Sequence, residues 1–454
     1  MAGARVWVLA LLWWALAVFP ARVGAGPAPA PSLAGAWLGR SQLSPVASRR
    51  AVFIIQAGPG GSFSGVFVSP DQSPFAIALS RVSLGNGQVT IEVDAVGGRY
   101  EGTLNQEGTQ MDGRWMQGPA SLPLVVQRVE PQEPPKPYPY LEEEVTYSNT
   151  ADAVTLAGTL TRPPAGGPFP AVILISGSGQ SDRDETLFWH RPFLVLADYL
   201  TRHGIAVLRV DDRGVGGSTG DVSQATSADF ARDVRAGIEY LQTRREIDPR
   251  RLGLIGHSDG GSIASLAAVD TNDIAFIVLM AGTGVPGDVV IEGQIVSRLK
   301  LAGVDPGVID ATLQAQRRVI DVVKSETDPN RAREKLRDLG CSDAQIQKLL
   351  LPWFYFFITH DPQETLRKVK CPVLAINGAL DMQVLAAVNL PAIEQALREG
   401  GNPDVTVQEL PRLNHLFQTA ETGWLDEYAW IAETLAPPAL ETIGTWIEMR
   451  TKPK

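Results

Sequence analysis

The sequence is poor in cysteine, in histidine and in clustered positive charge, and each shortage removes a class of function. Two cysteines, Cys341 and Cys371, occur in 454 residues. They allow one disulfide at most, and nothing in the sequence requires it. Cys371 opens the apolar run CPVLAI, where a thiol is expected to be buried and unreactive. The five histidines form no cluster with cysteines or carboxylates, so neither a metal nor any other cofactor is expected. The formal net charge is -10, and no basic run follows a phosphate backbone, which argues against nucleic acid as a partner. Beyond the N-terminus no apolar run approaches the roughly 20 residues that a spanning helix needs. Leu349 to Ile358 is apolar over ten residues.

What is present begins with MAGARVWVLALLWWALAVFPARVGAG: one early arginine, an apolar run from Val6 to Phe19, then Val23-Gly24-Ala25. These are the parts of a secretory signal peptide, with cleavage expected after Ala25 and a secreted or periplasmic product. A membrane anchor is the competing reading, and the shortness of the run disfavours it. No cysteine follows the cleavage site, which argues against a lipoprotein. Once the signal is removed, no membrane span is expected; the oligomeric state stays open.

Two proline-rich breaks divide the remainder. Gly26 to Ser32 reads as a flexible leader, and Pro131 to Pro139 (PQEPPKPYP) as a semi-rigid linker. Between them, residues 33–130 read as all-β. The runs AVFIIQA, FAIALSRVSL, QVTIEVDAV, RYEGTLNQ and LPLVVQRV are separated by turn signals such as Gly85-Asn86-Gly87. A small antiparallel barrel or sandwich is expected, with either a binding or a structural role. After the linker the rhythm changes. EEEVTYSN and VTLAGTLTRP precede the near-continuous apolar runs PAVILISGSG, IAVLRVDDRG, RLGLIGHSDG, AFIVLMAG and CPVLAING. Such runs are what strands buried on both faces require. Helical patterns alternate with them, so residues 140–284 and 366–454 read as a doubly wound, mostly parallel α/β sheet. Residues 285–365 interrupt it with helical patterns and are expected to form a lid. Their aromatics Trp353, Phe354 and Phe357 are candidates for the substrate pocket or, equally, for the core of the lid.

The chemistry lies in RLGLIGHSDGGSIA, where a strand ends in Gly-x-Ser-x-Gly and runs into a helix. This is the pattern of a nucleophile elbow, with Ser258 as nucleophile and Gly256 and Gly260 clearing room for the bend. A second match, Gly216 to Gly220, follows its strand at a distance and fits a loop around Ser218 instead. Although His257, Ser258 and Asp259 are consecutive, neighbours along extended chain point to opposite sides. His257 is therefore expected to pack beneath the elbow, and Asp259 to contribute its backbone N–H. The base and the acid must come from later loops. Of the two histidines after Ser258, His415 follows the last strand, VTVQEL, whereas His360 lies in the expected lid. Asp381, on the turn after CPVLAING, is the expected acid; Asp361 and Asp404 are the alternatives, and neither ends a buried strand. A second oxyanion donor is sought in Ser176-Gly177-Ser178-Gly179-Gln180, with Ser178 preferred and Gly179 next. The charges Asp182, Arg183, Asp184, Asp211 and Arg213 are expected to brace loops.

The motifs SGSGQSDRDE, DDRGVGGSTG, GHSDGG, CPVLAINGALD and LPRLNHLFQTAETG, in this order across residues 140–454, resemble the α/β-hydrolase superfamily. The resemblance is specifically to secreted bacterial carboxylesterases of the serine-aminopeptidase-like branch with an N-terminal β-domain. It implies hydrolysis of short-chain esters through Ser258, Asp381 and His415. Two positions depart from it: Ser176 stands where relatives commonly have histidine, and Asp259 where glutamate is common. A small-molecule ester substrate is thus expected, cleaved through an acyl-enzyme. A peptidase or thioesterase with the same triad is the alternative, and a non-catalytic binding protein on the same scaffold is the remote one. Ser258 excludes an aspartate nucleophile at this position.

Overall fold

Alternation in the N-terminal third and apolar runs thereafter produce two separate sheets in the computed structural model, which describes residues 32–452 apart from 45, 46 and 270. The expected signal peptide lies outside the described residues.

The first sheet contains β1 (Gly35–Ser44), β2 (Ala47–Ala57), β3 (Phe63–Ser69), β4 (Ser73–Ala78), β5 (Arg81–Gly85), β6 (Gln88–Val93), β7 (Gly98–Leu104), β8 (Gln110–Gln117) and β9 (Ala120–Arg128). All pairings are antiparallel, in the order β4-β3-β2-β1-β9-β8-β7-β6-β5. In β6, Val89, Ile91 and Val93 point inward and are buried, while Thr90 and Glu92 alternate with them and are less so. One core gathers Trp37, Phe53, Ile55, Tyr100, Met111 and Leu124 from across the sheet.

FAIALSRVSL, which reads as one strand, is divided between β4 and β5. The N–H of Leu79 bonds to Gly65 O of β3, and that of Ser80 to Glu92 O of β6. The chain steps there from one edge of the sheet to the other, so the sheet curls on itself as a barrel does. Strands β1, β3 and β8 were not legible; each carries an interior glycine, which weakens a strand signal, although RYEGTLNQ and VTLAGTLTRP read as strands in spite of Gly102 and Gly158. In β1 and β3 the glycine admits the next strand. A Cβ on Gly39 would lie 2.3 Å from Val125 O, and one on Gly65 2.1 Å from Ile54 O.

The second sheet contains β10 (Leu141–Asn149), β11 (Val154–Arg162), β12 (Phe169–Ile175), β13 (Ala206–Val210), β14 (Ile247–His257), β15 (Phe276–Met280), β16 (Val373–Gly378) and β17 (Val405–Leu410). Their order is β10-β11-β13-β12-β14-β15-β16-β17. The sheet is mixed: β10–β11 and β11–β13 are antiparallel, and the other neighbours are parallel. β10 and β11 can pair antiparallel because a short turn joins them, whereas the later strands are joined by helical crossovers.

Helices α1 (Pro192–Arg202) and α11 (Pro437–Thr451) cover one face of this sheet. Helices α2 (Ser227–Gln242), α3 (Asp259–Ala268) and α10 (Ala386–Glu399) cover the other. After β12 the chain first builds outward through β13 and then returns to the opposite side as β14. The crevice at the carboxyl ends of β12 and β14 is thus a topological switch point, where open α/β sheets place their sites.

Between β15 and β16 the chain leaves the sheet as α4 (Gly287–Leu301), α5 (Pro306–Ser325), α6 (Pro329–Asp338), α7 (Asp343–Leu349), α8 (Pro352–Thr359) and α9 (Pro362–Leu366). These helices have a core of their own, including Ile295, Leu299, Ile320, Leu336 and Ile358. Burying an aliphatic side chain of that size is worth about 1.5–3 kcal/mol. The outer face of β1 to β3 rests on the other half of the molecule through Ala36, Val52, Ile54 and Val68 against Ala429. No helix among the described residues is long and apolar enough to cross a membrane.

Candidate active site

Ser258 joins β14 to α3 with φ 55° and ψ −121°, a backbone conformation costly for any residue with a Cβ. The bend is tight enough to require its flanking glycines. A Cβ on Gly256 would lie 2.0 Å from Gly260 O, and one on Gly260 2.2 Å from Ile175 O. The Ser258 N–H is tied to Met280 O at 2.8 Å. Its side chain opens into a cavity of about 90 Å³ beneath the inserted helices.

The expected base and acid meet on the next two loops of the sheet. His415 Nδ1 lies 2.7 Å from Asp381 Oδ2, and both residues are buried. A carboxylate oxygen only accepts, so Nδ1 carries a proton, which in the neutral ring leaves the lone pair on Nε2. The second Asp381 oxygen accepts the N–H groups of Gln383 at 2.7 Å and Val384 at 2.9 Å. The loop that carries His415 crosses directly over Gly378, where a Cβ would lie 2.2 Å from Leu413 O. Asn414, fully buried, turns that loop by accepting from the N–H groups of Leu416 and Gln418, each at 3.0 Å. No hydrogen bond joins Ser258 Oγ to His415 in this state; such contacts commonly tighten when substrate binds.

His257 faces away from the serine. Its Nε2 donates to His415 O at 3.0 Å, and its Nδ1 lies 2.9 Å from Glu185 Oε1. The same Glu185 oxygen accepts the N–H of Gly177 at 2.7 Å. Burial by itself would lower the His257 pKa, but the Glu185 carboxylate outweighs it and holds the imidazole above its ordinary value. Glu185 is therefore a hub that sequence reasoning passed over. One buried carboxylate fixes the loop after β12, the residue before the serine and, through His257, the backbone of His415. Its only sequence signal was proximity to the braces in SGSGQSDRDE.

In the loop after β12, Gly177 has its N–H committed to Glu185. Ser178 lines the cavity with Ser258 and Asp259. Gly179, at φ 121°, lines with Ser178 a second cavity of about 530 Å³. Ser176 donates to Asp212 at 2.9 Å, and burial pushes that carboxyl up to about 8. The Asp259 side chain lies where the two cavities adjoin. It accepts from Ser227 Oγ at 3.0 Å and from Trp353 Nε1 of α8 at 2.8 Å. Burial holds its pKa above the usual carboxylate range in spite of both donors. Trp353, Phe354 and Phe357 all line the smaller cavity, and Phe354 also belongs to the core of the inserted helices.

The remaining candidates fall elsewhere. Ser218 is buried, donating to Asp211 O at 2.8 Å and accepting from Ala157 N at 2.9 Å, so it braces a loop. Asp182 closes its own loop by accepting from Thr186 Oγ1 at 2.7 Å. Arg183 pairs with Asp211 at 2.8 Å, Arg213 with Asp233 at 2.7 Å, and Arg209 with Asp184. His360 lies 3.1 Å from Thr365, Asp361 caps α9, and Asp404 pairs with Arg450. Cys341 and Cys371 are free thiols, and burial pushes Cys371 up to about 12. Among the described residues, no group of three or more His, Cys, Asp or Glu is placed to hold a metal ion.

A sequence model described as "Alpha/beta hydrolase family" matches residues 172–427, more than half of the chain. Esterase EstD of Thermotoga maritima is 26% identical over 286 residues, which are 63% of this chain and 62% of that protein. The chain thus spans less than two thirds of this relative's length. Among solved structures, an esterase of Pyrococcus furiosus superposes with a TM-score of 0.44 at 15% identity, covering 71% of this chain and 98% of that one. An alpha/beta hydrolase, GrgF, from Penicillium sp. sh18 gives 0.43 at 17%, covering 68% and 99%.

Proposed function

Because the chain belongs to the alpha/beta hydrolase family, we propose that it is a serine hydrolase cleaving carboxylic esters of short acyl chains. The observation that carries this reading is Ser258 on its strained elbow, with the His415–Asp381 pair at the ends of neighbouring strands of the same sheet. The similarity to an esterase supports the choice of ester as substrate.

In this reading the Ser258 oxygen attacks the ester carbonyl while His415 Nε2 takes its proton. The carbonyl becomes an oxyanion facing the N–H groups of Asp259 and Ser178, Gly177 being already committed to Glu185. Each such donor is typically worth about 10²–10³ in rate. As the oxyanion collapses, the bond to the alcohol breaks and His415 returns the proton to it. Water then repeats the cycle on the acyl-enzyme and frees Ser258. Asp381 keeps the proton on Nδ1 and stabilises the transient imidazolium. The inserted helices act as the lid, and the sheet of β1 to β9 as its neighbour outside the chemistry.

Hydrolysis of ethyl and p-nitrophenyl acetate and butyrate tests the proposal. The wild-type protein is expected to turn over both acyl lengths, and Ser258→Ala to lower kcat by about 10⁴–10⁶. A variant that keeps its fold and most of its rate would refute the role of Ser258.

A further inference from the structure

The inserted helices carry one buried charge that no carboxylate meets directly. Arg298, in the last turn of α4, is 4% exposed and lines the same cavity as Ser258. Its Nε and Nη2 are sealed from solvent with no hydrogen-bond partner. The groups whose charge reaches it are Asp426 and Tyr428, and each is engaged elsewhere. Asp426 Oδ2 accepts from Trp424 Nε1 at 3.0 Å, and the Tyr428 hydroxyl accepts from Gln383 Nε2 at 3.3 Å. Among the described residues Arg298 forms no ion pair, in contrast to Arg183, Arg209 and Arg213, each of which meets a carboxylate. A buried guanidinium without a counter-ion is rare, because desolvating it is expensive. The other walls of the cavity are mostly apolar, with Val290, Ile291, Ile295 and Phe354 among them, although Gln294 and Lys348 also line it and Asp259 stands beside the serine. The chamber is suited to a short hydrocarbon chain that ends in an oxyanion.

We propose that Arg298 is the specificity determinant of this site and seats the carboxylate of a half-ester, a dicarboxylic acid esterified at one end. The proposal rests on the esterase reading of Ser258. Within it, the apolar walls take the methylenes, the guanidinium forms charge-assisted hydrogen bonds to the free carboxylate, and the ester carbonyl is left at Ser258. The carboxylate takes no part in bond making, and the hydrolysis proceeds as for any ester.

The test compares monoethyl succinate, glutarate and adipate with ethyl 5-methylhexanoate, in which an isopropyl group of similar shape replaces the carboxylate of the glutarate. The wild type is expected to favour the best half-ester by about tenfold or more in kcat/KM. Arg298→Met should bring the ratio to one or below through KM, and Arg298→Lys should restore part of it. Because Arg298→Met removes a buried charge that no carboxylate meets directly, its Tm is expected to equal or exceed that of the wild type. Calorimetric binding of monoethyl glutarate to Ser258→Ala, lost in the double variant with Arg298→Met, reports the same contact without catalysis. A wild type that prefers the neutral ester overturns this proposal and leaves the esterase reading standing. So does a preference that survives in Arg298→Met, or an Arg298→Met protein that loses stability with its ratio unchanged. Failure to hydrolyse any ester, with half-ester binding intact, would instead strike the esterase reading.

Discussion

Two imidazole–carboxylate pairs stand side by side at the carboxyl ends of the central strands, with ring centroids 4.8 Å apart. Both join a histidine to an acid through Nδ1, His415 to Asp381 at 2.7 Å and His257 to Glu185 at 2.9 Å. They differ in the other nitrogen. In His415, Nε2 has no hydrogen-bond partner among the described residues, whereas in His257 it is spent on the His415 carbonyl. The difference lies in the backbone. His415 sits on a loop drawn over Gly378, and its ring is held from one side. His257 is the last residue of a buried strand, and its ring is held from both. The same chemical pair is thus a candidate proton carrier in one place and a structural clamp in the other.

Removing one member of each pair should separate them. In the first pair, His415→Ala is expected to lower kcat by about 10⁴–10⁶, as for the loss of any member acting as a unit, and Asp381→Asn by about 10⁴; steady-state kinetics on the butyrate ester reads both. In the second pair, Glu185→Gln should lower kcat by about 10–10³, because it loosens the loop that presents Ser178. It should also lower stability by about 3–5 kcal/mol, the usual consequence of breaking a buried ion pair from one side, as measured by urea unfolding.

That stability term has a pH signature. The His257 pKa lies above the ordinary 6.5 in the folded protein, so the native state holds a proton that the unfolded chain releases earlier. The contribution is complete below about pH 6.5 and is lost as pH rises through the raised value. The gap in Tm between wild type and Glu185→Gln should therefore narrow from pH 6 to pH 9, and a gap that widens would contradict the assignment. The smallest effect is expected far from both pairs. Arg50 bridges the β1–β9 sheet to Glu421 at 2.8 Å, with Glu421 largely exposed. Arg50→Ala should change stability by about 1 kcal/mol or less and leave kcat unaltered.

Much of this site is written locally in the chain. Gly256, Ser258 and Gly260 follow from a strand running straight into a helix, and His415 and Asp381 from their positions after apolar strands. The displacement of His257 from the serine followed from side-chain alternation. Glu185 and Arg298 were not legible, for opposite reasons. Glu185 matters because of what it touches across the sheet, and its neighbours Asp182 to Asp184 give the segment the look of ordinary surface charge. Arg298 matters because of what it fails to touch, and a missing partner leaves no mark on a helical sequence pattern. The same limit applies to β1 and β3, whose glycines weaken the strand signal locally but admit a neighbouring strand in space. The antiparallel start of the second sheet likewise depended on which strand β11 would meet.

The most direct measurement is the rate at which a fluorophosphonate modifies the protein, with the labelled residue mapped by peptide mass spectrometry in wild type, His415→Ala and His257→Asn. Modification of Ser258 is expected, slowed by about 10³ or more in His415→Ala and far less in His257→Asn. A label on Ser218, or a reaction that depends on His257 and ignores His415, would contradict it.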